Sequence, residues 1–217
     1  MTVLLRAPHD HGHGHGHGGH SHHGNPDDLA GYIAKLEEPG RAEWQQPDEV
    51  VAALALMPGQ TVCEIGGGTG YFALRIARAI GPAGMVLAVE VEPKLLEVLR
   101  SRVEQSEVRN VLPVLALPGD PLLAEQSCDL ILMVNSFHHL PEPERYLGRL
   151  RRALKPGGRL VNIDFKDEET PVGPPIEFRV PREKFVSVAA SAGLSLVSEP
   201  AFLPYQYFLV LAPERQP

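Results

Sequence analysis

The chain has 217 residues, 43% of them hydrophobic, which is enough for one globular domain with a sizeable core. Its formal net charge is −7 at pH 7, which argues against nucleic acid as a partner, because phosphate binding needs clustered Lys and Arg. No apolar run approaches the ~20 residues of a membrane span, and we expect no signal peptide. Cys63 and Cys128 lie in apolar, strand-like runs and are expected to be reduced. We therefore expect a cytoplasmic protein, either a monomer or a homodimer.

Residues 9–24 form a low-complexity tract in which histidine mostly alternates with glycine. Such a tract cannot build a core, so we expect residues 1–25 to be a flexible tail. Imidazoles bind nickel, zinc and copper, and a flexible chain can offer several to one ion. A metal- or metalloid-handling protein is therefore one functional hypothesis; the alternatives are a purification aid and a solvated native tail. The candidate metal ligands are His11, His13, His15, His17, His20, His22 and His23.

Two helices are predicted before residue 60. The first covers 26–38, with Asn25 or Asp27 as its cap, and the second covers 47–57. Trp44, the only tryptophan, lies between them. It belongs either to a lid over a ligand or to ordinary packing.

From residue 60 onward, predicted strands and helices alternate. This alternation predicts a parallel sheet with helices on both faces. The predicted strands are 61–65, 85–90, 111–116, 128–134, 159–165, 194–199 and 205–212. The predicted helices between them are 71–80, 93–105, 143–154 and 181–192.

The stretch 62–70, Val-Cys-Glu-Ile-Gly-Gly-Gly-Thr-Gly, joins the first of these strands to a helix. Glycines there permit positive φ and let a ligand approach the backbone, which is typical of a nucleotide site at the carboxyl end of a parallel strand. The spacing is not that of the dinucleotide pattern G-x-G-x-x-G, because Tyr71 stands in place of its last glycine. Glu64 would repel a pyrophosphate and attract an ammonium group. An NAD-linked dehydrogenase is therefore disfavoured.

A second carboxylate, Glu90, ends the second predicted strand, 20 residues after Gly70. An acid at this position can accept hydrogen bonds from both hydroxyls of a ribose. The alternative is an ordinary surface acid at a strand end. Glu92 is a weaker candidate, because it falls beyond the expected end of the strand.

Two segments carry a family resemblance. The pattern Glu-x-Gly-x-Gly-x-Gly at 64–70 closely resembles motif I of the class I S-adenosylmethionine (SAM)-dependent methyltransferases. Residues 129–158, with Asn-Ser-Phe-His-His-Leu at 135–140 and Leu-Lys-Pro-Gly-Gly at 154–158, are similar to the ubiquinone-biosynthesis and arsenite-methyltransferase type, which acts on small molecules. The resemblance covers about residues 45–212.

The resemblance implies a fold and a function. The fold is a Rossmann-like α/β sheet of seven strands, mostly parallel, with an antiparallel C-terminal hairpin at its edge and helices on both faces. Residues 26–58 would form a helical lid segment and residues 59–217 a SAM-binding domain that methylates a small molecule. The implied cofactor-binding residues are Glu64, Gly66, Gly67, Gly68, Gly70, Glu90, Val91, Leu117 and Asn135.

One position departs from the family pattern. Members usually carry an acid after strand three that meets the adenine amino group, and Leu117 stands there instead. Either the loop bends so that Asp120 substitutes, or apolar packing and backbone groups hold the adenine. Losing one charge-assisted hydrogen bond costs roughly 1.5–3 kcal/mol. A SAM-binding protein without catalysis is therefore an alternative function.

The methyl acceptor is expected near the ends of strands four and five. His138 and Asn135 are the catalytic candidates there, with His138 as a general base for a hydroxyl or amine acceptor. His139 matches the commoner histidine of the family turn and is expected to hold the loop. A soft nucleophile such as a thiol or arsenite would need no base. Arsenite methyltransferases use additional reactive cysteines, however, and both cysteines of this chain lie inside predicted strands.

Overall fold

The computed structural model describes residues 28–214, so the histidine tract lies outside the described residues. Its strands are β1 (Thr61–Ile65), β2 (Met85–Glu90), β3 (Val111–Leu115), β4 (Cys128–Val134), β5 (Leu154–Phe165), β6 (Leu194–Ser198) and β7 (Gln206–Pro213). Its α-helices are α1 (Leu29–Leu36), α2 (Arg41–Gln45), α3 (Pro47–Ala53), α4 (Ala73–Ile80), α5 (Pro93–Gln105), α6 (Pro143–Ala153) and α7 (Arg182–Ser191).

The strands form one sheet in the order β3-β2-β1-β4-β5-β7-β6. Strands β1 to β5 run parallel, and β7 runs antiparallel to both β5 and β6. This confirms the predicted Rossmann-like sheet with an antiparallel hairpin at its C-terminal edge. The order of the strands reverses between β1 and β4, and in such sheets a ligand binds beside the carboxyl ends of the strands at that point.

The core consists of two apolar layers, one on each face of the sheet. Helices α3, α4 and α5 contribute to one layer, and α6 and α7 to the other. Strand β4 shows how one strand serves both, because Leu130 and Leu132 pack in the first layer and Ile131 and Met133 in the second. A strand covered on both faces carries a continuous apolar run, which explains this part of the sequence.

The beginning of the described chain corrects two predictions. Asp28, and not Asn25 or Asp27, caps α1, since its side chain accepts a hydrogen bond of 2.9 Å from the backbone N–H of Gly31. Several acidic or amide residues in a row offer alternative caps, and local sequence does not choose among them. Trp44 belongs to a helix, α2, that was not predicted. Its five residues are too few to show a helical period.

Other boundaries shift by a few residues. Helix α3 ends at Ala53 rather than at residue 57, and α4 begins at Ala73 rather than at residue 71. Strand β5 begins at Leu154 rather than at residue 159, with a register shift against β4 between Cys128 and Leu130. The longest described helix, α5, has 13 residues, and no helix in residues 28–214 is long and apolar enough to span a membrane.

Candidate active site

The glycine loop, residues 66–70, follows β1 at the reversal point of the sheet. Gly66, Gly68 and Gly70 have φ of +73°, +52° and +87°, which residues with a side chain rarely adopt. A Cβ on Gly66 would lie 2.5 Å from the hydroxyl of Ser136, and one on Gly70 would lie 2.6 Å from Leu99. A side chain at Gly66 or Gly70 would therefore strain the backbone and displace a neighbouring side chain.

Backbone hydrogen bonds tie the glycine loop to the end of β2. The N–H groups of Gly66 and Gly67 both donate to the carbonyl of Val89, at 2.9 and 3.0 Å. Gly67 also packs closely, because a Cβ there would lie 3.2 Å from Ala88. Val91 follows directly and is partly buried against the second apolar layer. The structure thus brings the predicted residues of the two strand ends together.

Glu90 lies against the glycine loop at the end of β2. Its carboxylate accepts hydrogen bonds from the backbone N–H groups of Gly68 (2.9 Å), Val91 (2.7 Å) and Glu92 (3.1 Å). An ionised carboxylate has about four lone-pair sites, so it can still accept bonds from ribose hydroxyls. The side chain of Glu92 instead caps α5 by accepting from the N–H of Lys94 at 3.1 Å. This geometry favours Glu90 over Glu92 as the ribose-binding residue.

Glu64 is buried before the glycine loop with only 3% of its surface exposed. The backbone N–H of Ala73 donates to its carboxylate, but Oε2 has no hydrogen-bond partner among residues 28–214. Burial raises the pKa of Glu64 to about 8, although the positive charge of Arg41 opposes the shift. A buried carboxylate is costly without a partner, and an ammonium group would supply both charge and hydrogen bonds.

Asn135 follows β4 in a left-handed conformation with φ of +53°. Its Oδ1 accepts a hydrogen bond of 2.7 Å from Nε2 of Gln206, the first residue of β7. Gln206 in turn accepts a bond of 3.2 Å from Gln45 of α2. Sequence reasoning missed both glutamines. The available signal was one glutamine at the end of α2 and another at the start of β7. Polar residues at the ends of elements are too common to single these two out.

His138 lies in a short 3₁₀ turn, Phe137–His139, after β4. Its Nδ1 is 3.6 Å from Oδ2 of Asp164, a residue of β5 that is only 1% exposed. The other oxygen of Asp164 accepts from the N–H of Phe165 at 2.9 Å. This distance is too long for a hydrogen bond, so Asp164 is a close neighbour of Nδ1, and Nε2 is the ring nitrogen left for an acceptor. The rings of His138 and His139 have centroids 4.0 Å apart.

Comparisons with known proteins show which family the chain resembles. Residues 63–160 match the family model described as a methyltransferase domain. This match runs from β1 into β5 and covers a little less than half of the chain. Among solved structures, the SAM-dependent methyltransferase from Aquifex aeolicus aligns with a TM-score of 0.80 and 28% identity, over 83% of this chain and 96% of that one. The sheet topology and this alignment show the fold of the SAM-dependent methyltransferases.

The matches to curated relatives cover only part of each relative's length. The protein-L-isoaspartate O-methyltransferase of Methanothrix thermoacetophila is 40% identical over 111 residues, which are 50% of this chain and 49% of that protein. The arsenite methyltransferase of Halobacterium salinarum is 30% identical over 52% of this chain and 29% of its own length. The UbiE C-methyltransferase of Bordetella avium is 30% identical over 54% of this chain and 45% of its own length. The chain thus spans about half, or less, of the length of these relatives.

Leu117 lies at the family's acid position in the methyltransferase domain, and its surface is 57% exposed. The loop does bend, because Leu117 and Asp120 exchange two backbone hydrogen bonds of 3.0 Å. The carboxylate of Asp120, however, is 3.2 Å from Nε of Arg149 in α6 and also accepts from the N–H of Leu122. Both oxygens of Asp120 therefore already have a partner within the protein, Arg149 and the backbone of Leu122.

Helices α1 and α2 lie across the methyltransferase domain at the glycine loop. Leu36 of α1 comes within 3.5 Å of the position that a Cβ on Gly68 would take. At the other end of the segment, the rings of Trp44 and Phe165 have centroids 5.4 Å apart. Among the described residues, no group of three or more potential metal ligands comes together. The predicted histidine ligands all fall outside those residues.

Proposed function

We propose that the protein is a SAM-dependent methyltransferase that transfers a methyl group to a small-molecule acceptor. The observation that carries this proposal is the arrangement of Glu64 and Glu90 on either side of the glycine loop. One carboxylate is buried with an oxygen that has no partner among residues 28–214, and the other is held by three backbone N–H groups. That pair suits a ligand with an ammonium group at one end and a ribose at the other.

The residues present fit SAM. Glu64 would hold the ammonium group, Glu90 the ribose hydroxyls, and the glycine loop would let the ligand approach the backbone closely. Val91 and Leu117 would pack against the adenine without a charge-assisted bond. When bound, SAM supplies a methyl group made electrophilic by its sulfonium. The remaining tasks of the protein are alignment and exclusion of water.

His138 is the proposed general base at the acceptor end. Because its Nδ1 faces Asp164, a hydroxyl or amine acceptor would lose its proton to Nε2. Asp164, 3.6 Å from Nδ1, would bound that side of the ring. Asn135, fixed by Gln206, would bound the space between the cofactor and the acceptor. An enzyme with such a base is expected to methylate oxygen or nitrogen.

The position of the helical segment 28–53 supports the proposal that the acceptor is a small molecule. We propose that α1 and α2, which belong to the segment before residue 59, act as a lid over the glycine loop. A lid of this kind encloses the site and excludes water, which suits a compact acceptor better than a large one.

Calorimetric titration with SAM and S-adenosylhomocysteine tests the cofactor site. We expect micromolar binding by the wild type, with loss in Glu90→Ala and retention in the control Glu92→Ala. Release of S-adenosylhomocysteine in a screen of small alcohols, phenols and amines then tests catalysis. Binding of NADH without binding of SAM would contradict the proposal.

A SAM-binding protein without catalysis is the second candidate. Leu117 is exposed and Asp120 is paired with Arg149, so the adenine would have no acidic partner from this loop. This favours the second candidate. Turnover separates the two candidates: tight SAM binding with no methyl transfer to any screened acceptor would favour the second.

A separate property is proposed for the histidine tract, which is binding of nickel, zinc or copper. Its seven candidate ligands in a low-complexity segment support this. Titrating Ni²⁺ and Zn²⁺ into the full chain and into a chain lacking residues 1–24 tests it. Equal metal binding by both would contradict it, and equal methyl transfer would show that the tract has no part in catalysis.

Two free, buried cysteines support our proposal that the protein works in the cytoplasm.

A further inference from the structure

A row of buried and partly buried polar side chains connects α2 with the end of β4. Arg41 donates from Nε to the side-chain oxygen of Gln45, whose Nε2 donates to Gln206 at 3.2 Å. Gln206 then donates to Oδ1 of Asn135 at 2.7 Å. We call these four residues the amide relay. It joins three segments of the chain: the helix α2, the start of β7 and the turn after β4.

The amide relay has little freedom to rearrange locally. Gln45 is fully buried and Gln206 is 2% exposed, so neither can replace a lost partner with bulk water. Each glutamine accepts from one neighbour with its oxygen and donates to the next with its nitrogen. Buried polar groups are costly when left unpaired. A displacement of Arg41 is therefore expected to move the other members rather than break the row.

The first member of the amide relay faces the cofactor end of the site. The guanidinium of Arg41 lies 3.9 Å from the centre of the Tyr71 ring, directly after the glycine loop, and donates to the carbonyl of Leu36 at 2.6 Å. Its positive charge acts on Glu64, whose Oε2 has no hydrogen-bond partner in the described part of the chain. Arg41 thus lies beside the glycine loop, and Leu36, to which it donates, covers Gly68.

We propose that Arg41 senses the cofactor and that the amide relay carries this signal to Asn135. An ammonium group held by Glu64 would bring a second cation to the end of the site where the guanidinium of Arg41 stacks on Tyr71, and like charges repel each other strongly in a poorly solvated site. Arg41 shifts, and α2 and Asn135 shift with it. The acceptor end is thereby arranged only after the cofactor has bound. Arg41, Gln45 and Gln206 are positioning residues, and the inference rests on the proposed function.

The chain contains its own reporter for this movement. Trp44 is the only tryptophan, directly precedes Gln45 in α2 and packs against Phe165. A shift of α2 changes the surroundings of the indole and hence its fluorescence. The full-length protein is titrated with SAM and with S-adenosylhomocysteine, and binding is followed in parallel by calorimetry and by Trp44 emission. For the wild type, we expect both signals to give the same midpoint.

Two variants interrupt the amide relay at different points. Arg41→Met removes the sensor, and Gln206→Met removes the link to Asn135 with little change in volume. In both, we expect calorimetric binding to persist, the Trp44 signal to fall by more than half, and kcat to drop about tenfold, with a smaller change in the KM for SAM. Arg41→Lys should restore part of the signal. The control is Arg75→Met, because Arg75 also stacks on Tyr71, at 4.4 Å, but lies outside the relay.

The outcomes separate the inference from the proposed function. Absence of calorimetric binding by the wild type would overturn the proposed function itself. Binding without any change in Trp44 emission, or a full emission change in both Arg41→Met and Gln206→Met, would overturn the inference alone. If Gln206→Met fails to fold, as judged by circular dichroism, Arg41→Met decides, since its side chain is only partly buried.

Discussion

The two ends of the site are built in different ways. The cofactor end consists of the glycine loop, Glu64 and Glu90, and its shape comes from backbone conformation and backbone N–H groups within residues 64–92. The acceptor end consists of the side chains of Asn135 and His138. Gln206 of β7 holds Asn135 by a hydrogen bond, and Asp164 of β5 lies 3.6 Å from the imidazole of His138. The comparison shows that a ligand common to many proteins can be held by local backbone, whereas the acceptor depends on side chains brought together by the fold.

The difference predicts that variants of the acceptor end change turnover and variants of the cofactor end change binding. The largest expected effect is that of His138→Gln. Loss of a general base lowers kcat typically 10²–10⁴-fold, so we expect about a 1,000-fold fall. Initial rates with an acceptor from the screen measure it, with His139→Gln as control. An equal loss of SAM affinity would show that the two ends are not separate, and an unchanged kcat would indicate an acceptor that needs no base.

Glu90→Ala is expected to have the next largest effect. It removes the ribose-binding carboxylate and leaves three backbone N–H groups without their acceptor, so SAM affinity should fall about 100-fold. Calorimetry measures the loss. Glu92→Ala is the matched control: removing this cap of α5 should lower stability by about 1 kcal/mol and leave SAM affinity nearly unchanged. If both variants bind SAM as the wild type does, the ribose assignment is wrong.

Glu64→Gln should sharpen the comparison by separating binding from stability. We expect it to weaken SAM binding about tenfold or more, because the ammonium group loses a charge-assisted hydrogen bond. The same change should stabilise the protein, since burial raises the pKa of Glu64 to about 8 from an ordinary value of 4.5. Between these pH values the folded state binds more protons than the unfolded state, so the stability of the wild type falls as pH rises.

The stabilisation of Glu64→Gln should therefore grow from about pH 4.5 to pH 8 and reach a few kcal/mol, since one pKa unit corresponds to roughly 1.4 kcal/mol. Urea unfolding of both proteins at pH 5, 6.5 and 8 measures it. Glu97→Gln, on the exposed side of α5, is the control and should follow the wild type. Parallel pH profiles for Glu64→Gln and wild type would contradict the prediction.

The smallest expected effect is that of Leu117→Asp. It restores the acid that family members carry, at an exposed position where a charge needs no buried partner. SAM affinity should rise by at most about tenfold, the value of one weak charge-assisted bond. Calorimetry again measures it, and Leu117→Asn controls for polarity without charge. A loss of affinity would indicate that the leucine itself packs on the adenine.

Much of the fold could be predicted because its signals are local. The continuous apolar run of β4 and the glycines of the loop act through neighbouring residues, so their strand and turn were predicted with the observed bounds or nearly so. Short elements escaped prediction for the opposite reason. Helix α2 has five residues, and Asp28 competes with similar neighbours for the cap of α1. Tertiary packing of Trp44 against Phe165 holds α2 in place, and sequence spacing does not report such a contact.

By itself, the sequence determined the sheet, the glycine loop and the two carboxylates beside it, because spacing and backbone conformation along a short stretch specify them. Only the tertiary structure decided how the polar groups pair. It joined Asn135 to Gln206 across 71 residues of chain and Gln45 to Gln206 across 161. It also assigned Asp120 to Arg149 and left one oxygen of Glu64 without a partner in the described chain. Hydrogen bonds and charges act through space, and only folding brings such distant residues within their range.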